Sequence, residues 1–248
     1  MRDTSPLTTT TRSEFSTGRV FLTEEVGMSD LIDTTEMYLK VVFELEEQGQ
    51  PALRARVAER LDQAMPSVSQ TVSRLERDGL VTLDDNRIVE LTSSGRDIAV
   101  AVMRKHRIAE RFLFDVLGLD WAACHEEACR WEHVLGDDAE SKLLAMLTTT
   151  DIDPYGNPIP GVDGADRSPR ISGVPVSSVG DGTHTVVALG ESLQADASLL
   201  SDCAQSGIVP GATLTVSSVG DQWHIEGPTG TITLRAHDAS QLFVQPAT

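Results

Sequence analysis

The chain has 248 residues, of which 40% are hydrophobic, and its formal net charge is −18. This length is sufficient for two or three small domains with hydrophobic cores. It contains no apolar run near the roughly 18 residues that a membrane span needs. Residues 1–27 are rich in Thr and Ser without an apolar segment, so we expect no secretory signal. Three cysteines without a disulfide-framework spacing are consistent with the reducing cytoplasm.

The charge is unevenly distributed along the chain. Between residues 54 and 77 there are five arginines against three acidic residues, whereas beyond residue 150 there are three basic residues against eleven acidic ones. The average charge argues against binding to nucleic acid. The local excess of arginine over 54–77 instead predicts a modest basic surface patch on an otherwise acidic protein.

Hydrophobic periodicity divides the first part of the chain into helices. Residues 1–27 lack periodicity and are expected to form a disordered extension. Helical spacing of apolar residues predicts a first helix over 30–48, followed by two shorter helices over 54–61 and 66–78. A β-hairpin is predicted over 80–91, because apolar residues alternate on both sides of a polar turn.

Two short helices joined by a tight turn and followed by a two-stranded wing are typical of the winged helix-turn-helix, whose second helix enters the major groove. Gln can pair with adenine, small apolar groups can contact a thymine methyl, and arginines can bind phosphates. The candidate DNA-contacting residues are Arg54, Ala64, Pro66, Ser67, Ser69, Gln70, Arg74, Arg77 and Arg87. The alternative is a helical pair in a larger bundle, with its arginines on a solvated face.

The second part of the chain changes from helical to β periodicity. A long helix is predicted over 92–117, with Thr92 as its N-terminal cap, followed by a helix that carries residues 125–133 and another over 137–147. A segment rich in Pro, Gly and small polar residues predicts a linker over 153–172. Val, Thr and Ile then alternate between glycines in four predicted strands, over 183–189, 212–216, 223–225 and 231–234. This pattern predicts a small all-β barrel of about 75 residues.

Cys129, Glu132 and His133 are spaced i, i+3 and i+4 on a predicted helix, so a thiolate, a carboxylate and an imidazole project from one face. These donors suit a borderline-to-soft divalent transition metal. The alternative is an amphipathic helix with an inert buried Cys and a solvated Glu and His. On the long helix, His106 and Glu110 form a second, weaker pair, for which the alternative is a structural histidine.

Several segments together resemble the diphtheria toxin repressor family of iron-dependent, metal-activated transcriptional repressors. The first of them reads Asp-Thr-Thr-Glu-Met-Tyr-Leu, and the last reads Gly-Asn-Pro-Ile-Pro-Gly. The likeness is close over 28–161 and weak in the β-rich tail. The matching segments are residues 33–39, 54–61, 68–72, 76–81, 103–107, 127–133 and 156–161.

The resemblance implies a mainly α protein with a small all-β domain. Its expected parts are a winged helix-turn-helix DNA-binding domain over 28–91, a helical metal-binding and dimerisation domain over 92–152, a linker over 153–172 and an SH3-like β domain over 173–248. The implied function is iron(II)-activated repression of iron-uptake genes by a cytoplasmic homodimer on a palindromic double-stranded DNA operator. No membrane, small-molecule substrate or enzymatic activity is implied. The alternatives are a manganese or zinc regulator on the same scaffold, or a metalloenzyme with an open coordination position.

The resemblance also implies two metal sites. The family's activating site maps onto Met37, Cys129, Glu132 and His133. Its ancillary site maps onto His106, Glu110, His125, Glu191 and Gln194. Manganese-sensing relatives replace the Met and the Cys with carboxylates, so the two sulfur donors point to Fe2+, and Co2+, Ni2+, Mn2+ and Zn2+ are expected to substitute in vitro.

The chain departs from the family pattern in two places. Ala64-Met65 replaces a Ser-Gly pair at the start of the recognition helix, so base preference is expected to differ slightly. Asp153 stands where relatives have a Ser that holds an anion together with an Arg and an Asn, which match Arg107 and Asn157. A carboxylate at this position is expected to repel an anion.

Overall fold

The computed structural model describes residues 28–161 and 170–247, with side chains from residue 34 onward. The predicted disorder of residues 1–27 and part of the predicted linker lie outside these ranges. Within them, no helix combines the length and the apolar character needed to cross a bilayer.

The N-terminal part consists of three helices and a hairpin, close to their predicted bounds. Pro66 lies in the first turn of the third helix, where its missing N–H costs nothing. In the hairpin turn, Asp84 Oδ1 accepts hydrogen bonds from the backbone N–H groups of Asn86 at 2.9 Å and Ile88 at 2.7 Å. The elements are α1 Met28–Glu47, α2 Arg54–Arg60, α3 Met65–Arg77, and the antiparallel strands β1 Val81–Leu83 and β2 Val89–Leu91.

The central part is helical and is organised around one long helix. The Thr92 side chain caps this helix by accepting a hydrogen bond from the Gly95 N–H at 3.1 Å, as the sequence predicted. Asp120 caps the following short turn in the same way. The helices are α4 Ser93–Asp115, α5 Cys124–Trp131 and α6 Asp137–Leu144.

The C-terminal part is a six-stranded antiparallel sheet in the order β3-β8-β4-β5-β6-β7, with three short helices. The four strands predicted from alternation are present, whereas β3, β8 and the helices were not predicted. The elements are β3 Val174–Pro175, β4 Gly182–Leu189, α7 Glu191–Gln194, α8 Ala197–Gln205, β5 Thr213–Val219, β6 Gln222–Glu226, β7 Thr231–Arg235, α9 Ala236–Ala239 and β8 Leu242–Pro246.

Helix α4 takes part in two hydrophobic cores. Its first half contributes Met103 to a core with α1, α3 and the hairpin. Its second half contributes Leu113 to a core that also contains Ala128 of α5 and the interior of the C-terminal sheet. The candidate ligands His106 and Glu110 lie on α4 where these two cores meet, so α4 connects the N-terminal part with the sheet.

The loop before the sheet is held close to β4. The Leu189 N–H donates to the Tyr155 carbonyl at 2.9 Å. Gly156 has φ +89° and approaches β4 so closely that a Cβ atom there would lie 2.1 Å from the Val187 carbonyl oxygen. Only glycine fits at this position, and the loop carries Asp153 and Asn157 into the interior.

Candidate metal centre

Four buried side chains from α4, α5 and α7 meet in the interior. They are His106, Glu110, His125 and Glu191, and one ligand atom of each lies within 4.8 Å of the others. Glu110 Oε1 is 2.7 Å from His106 Nε2 and 3.0 Å from His125 Nδ1. Glu191 Oε2 is 3.3 Å from His106 Nε2. The helical part and the β domain therefore contribute to one cluster of nitrogen and oxygen donors.

Two buried oxygen atoms, Glu110 Oε2 and Gln194 Oε1 on α7, have no hydrogen-bond partner among the described residues. Glu191 Oε2 also makes no hydrogen bond among them and has only its ionic contacts with the two histidines. Gln194 Nε2 donates to the Leu189 carbonyl at 2.6 Å, which leaves its Oε1 as the free acceptor. An unsatisfied buried acceptor costs about 1–3 kcal/mol. A divalent cation would satisfy these buried oxygens, and carboxylate, amide and imidazole groups are suitable ligands for it.

Opposite charges control ionisation within this cluster. Burial opposes the charged form of His106, but the surrounding carboxylates of Glu110, Glu191 and Glu132 together outweigh it and raise the pKa of His106 well above its usual range. In turn, His106 lowers the pKa of Glu110 and of Glu191 against the effect of burial. The carboxylates are therefore ionised at neutral pH.

The second candidate set lines a cavity of about 320 Å³ between α1, the end of α5 and α7. Met37 enters it from α1 and is 42% exposed. Cys129, Glu132 and His133 line the same cavity from the other side. Helix α5 ends at Trp131, two residues before the last ligand of the motif, His133. The Glu132 N–H still donates a helical hydrogen bond to the Ala128 carbonyl at 3.0 Å.

The polar donors of this second set face different protein partners. Cys129 Sγ is 3.6 Å from His125 Nε2. Ligand atoms of Cys129, His106 and His125 all lie within 4.8 Å of one another. Glu132 Oε1 is 3.1 Å from His133 Nε2. His133 Nδ1 is 2.6 Å from Glu36 Oε2 on α1. The structure therefore brings the four predicted residues to one cavity, with the thiol turned toward the neighbouring cluster.

Two of the polar donors in this set are ionised in the form that binds a transition metal. Burial raises the pKa of Cys129, but hydrogen bonds with His106 and His125 outweigh it and lower the pKa to about 6. Lys40 and His106 hold the pKa of Glu132 far below its usual range despite burial. A hydrogen bond with Glu132 raises the pKa of His133 to about 9. At neutral pH the cavity therefore offers a thiolate and a carboxylate.

Two buried cations were not anticipated from the sequence. Lys40 lies one turn after Met37 and is 8% exposed. Its position between Leu39 and Val41, inside a buried stretch of α1, is a signal that sequence reading could have used. Arg107 is fully buried, and its function was assigned only through the family pattern.

Arg107 joins three parts of the chain. Its guanidinium donates to Glu47 of α1 through Nη1 and Nη2, each at 2.7 Å. Nη2 also lies 3.1 Å from Glu191 Oε1, and Nε lies 3.6 Å from Asp153 Oδ2. Asp153 in turn accepts hydrogen bonds from the backbone N–H and the side-chain amide of Asn157, each at 2.9 Å. The Asp153 side chain thus faces the Arg107 guanidinium, at the position where the family resemblance implied a Ser.

The predicted DNA-contacting residues lie mostly on the surface. Those exposed at the start of α3 are Ala64, Pro66, Ser67 and Gln70, while Ser69 is half-buried. Helix α3 buries Val68, Val72 and Leu75 on its opposite face.

The four predicted phosphate-binding arginines differ in their exposure. Arg77 at the end of α3 and Arg87 at the wing tip are exposed. Arg54 and Arg74 are half-buried, and Arg74 Nη1 donates to Thr35 Oγ1 of α1 at 3.3 Å. The exposed residues leave one polar face of α3 and the wing tip available for DNA.

Two family models match this chain. Residues 30–89 match the iron dependent repressor N-terminal DNA binding domain, and residues 92–161 match the iron dependent repressor metal binding and dimerisation domain. Together they cover more than half of the chain. The chain belongs to the iron-dependent repressor family. This repressor therefore binds DNA through its N-terminal part, and it binds a divalent metal and dimerises through its helical central part.

Individual relatives agree with this membership. The repressor is 48% identical over 199 residues to the iron-dependent repressor IdeR of Mycobacterium leprae, a match covering 77% of this chain and 86% of the relative. It is 57% identical over 136 residues to the diphtheria toxin repressor of Corynebacterium diphtheriae, and this match covers 55% of the chain and 60% of that relative. A solved manganese-dependent transcriptional repressor in complex with manganese is 30% identical, with a TM-score of 0.68, and the match covers 86% of this chain and 100% of that one.

These comparisons confirm the predicted family, fold class and function as a transcriptional repressor. Because the family consists of DNA-binding regulators, the repressor is not an enzyme, and the metalloenzyme alternative is rejected.

Proposed function

We propose that this cytoplasmic repressor is activated by Fe2+ bound by Met37, Cys129, Glu132 and His133, and that it controls iron-uptake genes from a palindromic operator. One observation carries the proposal: a thioether from α1 and a thiolate, a carboxylate and an imidazole from the end of α5 line one cavity. Met37 and Cys129 are 92 residues apart in the sequence, and they belong to different family domains.

The donor set supports iron over manganese. Sulfur ligands favour iron, cobalt, nickel or zinc, whereas manganese prefers oxygen donors. Affinity alone would rank nickel and copper above iron, so availability in the cell decides. A manganese or zinc regulator is the second candidate, and the manganese-dependent structural relative favours it.

The mechanism we propose is a link between the DNA-reading part and the dimerisation part. Bound in the cavity, the cation supplies coordination bonds to both sides. Through that cation, Met37 would hold α1 against the end of α5, and α1 packs against α2, which in turn packs against α3. The position of α1 thereby sets the spacing of the two recognition helices in a C2 dimer, which must match two half-sites of DNA.

The energy required is within reach of a metal site. To move the binding-competent form from rare to dominant, metal must favour it by about 5 kcal/mol. Structural metal sites in small domains supply about 10 kcal/mol or more. Part of this stabilisation is therefore enough to switch DNA binding.

We assign the second cluster, His106, Glu110, His125, Glu191 and Gln194, as an ancillary metal site. Its buried oxygens without partners and its four converging donor groups support this assignment. Because Glu191 and Gln194 come from α7 in the β domain, occupation of this site would fix that domain to α4 and α5.

For DNA recognition, we assign base contacts to the start of α3 and phosphate contacts to the arginines. Gln70 is exposed and suited to adenine, and the Ala64 methyl is suited to thymine. Pro66, Ser67 and Ser69 lie on the same turns of the helix. Exposed Arg77 and Arg87 flank this surface, with Arg54 and Arg74 beside them.

The proposal is tested by anaerobic DNA-binding titrations with Fe2+, Mn2+ and Zn2+ at several salt concentrations. The DNA is selected from random duplexes by the metal-loaded protein. We expect Fe2+ to activate binding at a lower free concentration than Mn2+. A matched variant, Met37→Asp combined with Cys129→Glu, replaces sulfur by oxygen donors and should reverse that preference. Tighter activation of the unmodified protein by Mn2+ would favour the manganese regulator instead.

A further inference from the structure

Lys40 places a buried ammonium group at the candidate activating site. Its Nζ donates to Glu132 Oε2 at 2.7 Å and lies 3.4 Å from His106 Nδ1. His106 Nδ1 in turn is 2.6 Å from the same Glu132 oxygen. One carboxylate oxygen of a proposed metal ligand is therefore shared by a lysine and a histidine.

The surroundings of Lys40 are strongly acidic. Four carboxylates in or beside the cavity are buried: Glu44, Glu110, Glu132 and Glu191. Among the described residues that line the cavity, the Lys and Arg side chains are Lys40 and Arg60. Arg60 is already engaged, at 2.6 Å from Gln48 Oε1 and 3.4 Å from Glu44 Oε2. Of these two side chains, Lys40 is therefore the one that pairs with Glu132, which also faces the imidazoles of His106 and His133.

A buried ammonium is costly unless it is paired, and so is a buried carboxylate. Lys40 and Glu132 therefore stabilise each other in this arrangement. A divalent cation that takes the Glu132 oxygen competes for the same electron pairs and the same negative charge. Both positive groups cannot occupy that oxygen without strong repulsion.

We propose that Lys40 is a tethered internal cation whose ion pair with Glu132 is broken or weakened when the activating metal binds, and that it so sets the metal concentration at which the repressor switches. The inference rests on the proposed activating site. Any interaction that stabilises the metal-free form and is lost on binding lowers the apparent metal affinity by the same free energy. Lys40 is a positioning residue that acts on affinity through Glu132.

The location of Lys40 on α1 connects this exchange to the mechanism. Met37 and Lys40 are three residues apart and lie on one face of the helix. Helix α1 therefore reaches the end of α5 through the long Lys40 side chain in one state and through Met37 and the metal in the other. Metal binding would therefore replace the ion pair between Lys40 and Glu132 by coordination bonds between the metal and its ligands.

The test compares Lys40→Met with Lys40→Arg and with Lys105→Met. Methionine keeps the length and apolar stem of lysine and removes the charge, whereas arginine keeps the charge. Lys105 pairs with Asp137, whose side chain is 92% exposed, so Lys105→Met is a lysine-to-methionine control away from the cavity. Metal affinity is measured by anaerobic titration with Co2+, following the thiolate-to-metal absorption band, and stability by thermal unfolding of the metal-free protein.

We expect Lys40→Met to lower the Tm of the metal-free protein and to bind Co2+ about ten- to a hundred-fold more tightly, the range for one lost hydrogen bond to a charged group. Lys40→Arg and Lys105→Met should keep the affinity of the unmodified protein. If Lys40→Met lowers Tm while affinity is unchanged or weaker, Lys40 is only structural and the inference is overturned.

Two further measurements keep the outcome decisive. If metal-free Lys40→Met does not fold, the variant is prepared with Co2+ and competed with a chelator, and it should retain the metal at a free concentration at least ten-fold lower. The unmodified protein and Cys129→Ala serve as site controls. A thiolate band that is absent, or that persists in Cys129→Ala, contradicts the proposed site itself. A normal band without tightening in Lys40→Met contradicts only the function of Lys40.

Discussion

Replacing Arg107 by methionine should destabilise the whole molecule, because this side chain links all three parts of the chain. It is fully buried and faces Glu47 of α1, Glu191 of α7 and Asp153 of the loop before the sheet. Methionine fills part of the volume but leaves the carboxylates without their counter-charge. The perturbation therefore removes one partner of a buried ion network.

The expected magnitude follows from the burial of these groups. Breaking a buried ion pair by removing one partner costs about 3–5 kcal/mol. For a chain of this size, each kcal/mol lowers Tm by about 2–4 °C, so Arg107→Met should lose roughly 6–20 °C. Burial, together with the nearby Glu110 charge, raises the pKa of Asp153 to about 8 despite Arg107. Asp153 is therefore largely protonated at pH 7, and the penalty falls mainly on Glu47 and Glu191.

The assay is thermal unfolding of the metal-free protein at pH 7, followed by circular dichroism. The matched control is Arg130→Met, because Arg130 pairs with Glu126 and Glu127 on the surface and its side chain is 62% exposed. The control should leave Tm unchanged, since exposed pairs contribute little. A Tm for Arg107→Met within about 2 °C of the unmodified protein would refute the reasoning about the buried network.

Other predictions concern DNA contacts and pH. Gln70→Ala should cost about 1–3 kcal/mol at particular base pairs, whereas Arg77→Ala should weaken binding to all sequences alike and flatten its salt dependence. Binding assays on specific and random duplexes check this, and equal losses for Gln70→Ala would remove it from base readout. The pKa values of His125 and His133 are raised to about 9, so the stability they contribute is full below pH 6.5 and is lost as pH rises through 9. Cys129, with its pKa lowered to about 6, opposes this loss, so the metal-free Tm should fall moderately between pH 6.5 and 9. Metal affinity should rise over the same range, because the histidines must be deprotonated to bind, and calorimetric titration at several pH values checks it.

Local sequence patterns were sufficient for the helical elements. The first four helices follow from apolar spacing, from Pro66 in the first turn of α3 and from the Thr92 cap. The spacing of Cys129, Glu132 and His133 indicated a ligand face without knowledge of the fold. Short elements such as β3 and α7 were not predicted, because two to four residues carry no periodicity that distinguishes them from a loop.

The electrostatic partners of the site could not be predicted from the sequence, because they are distant along the chain. Lys40 meets Glu132 across 92 residues, and Arg107 meets Glu191 across 84. Neither pair has a characteristic local spacing. The first depends on the packing of α4 against α1 and α5, and the second depends on the position of α7 beside α4. The turn of the Cys129 thiol toward His125 likewise depends on tertiary contacts.

The central claim is that a metal held between α1 and the end of α5 controls DNA binding. The most direct test is the affinity of the unmodified protein and of Cys129→Ala for one selected duplex, with and without Fe2+ under anaerobic conditions. The account predicts that Fe2+ strongly tightens binding by the unmodified protein and leaves Cys129→Ala unchanged, while both keep the same helical content. Equal activation of the two proteins by Fe2+, or full binding without metal, would contradict the account.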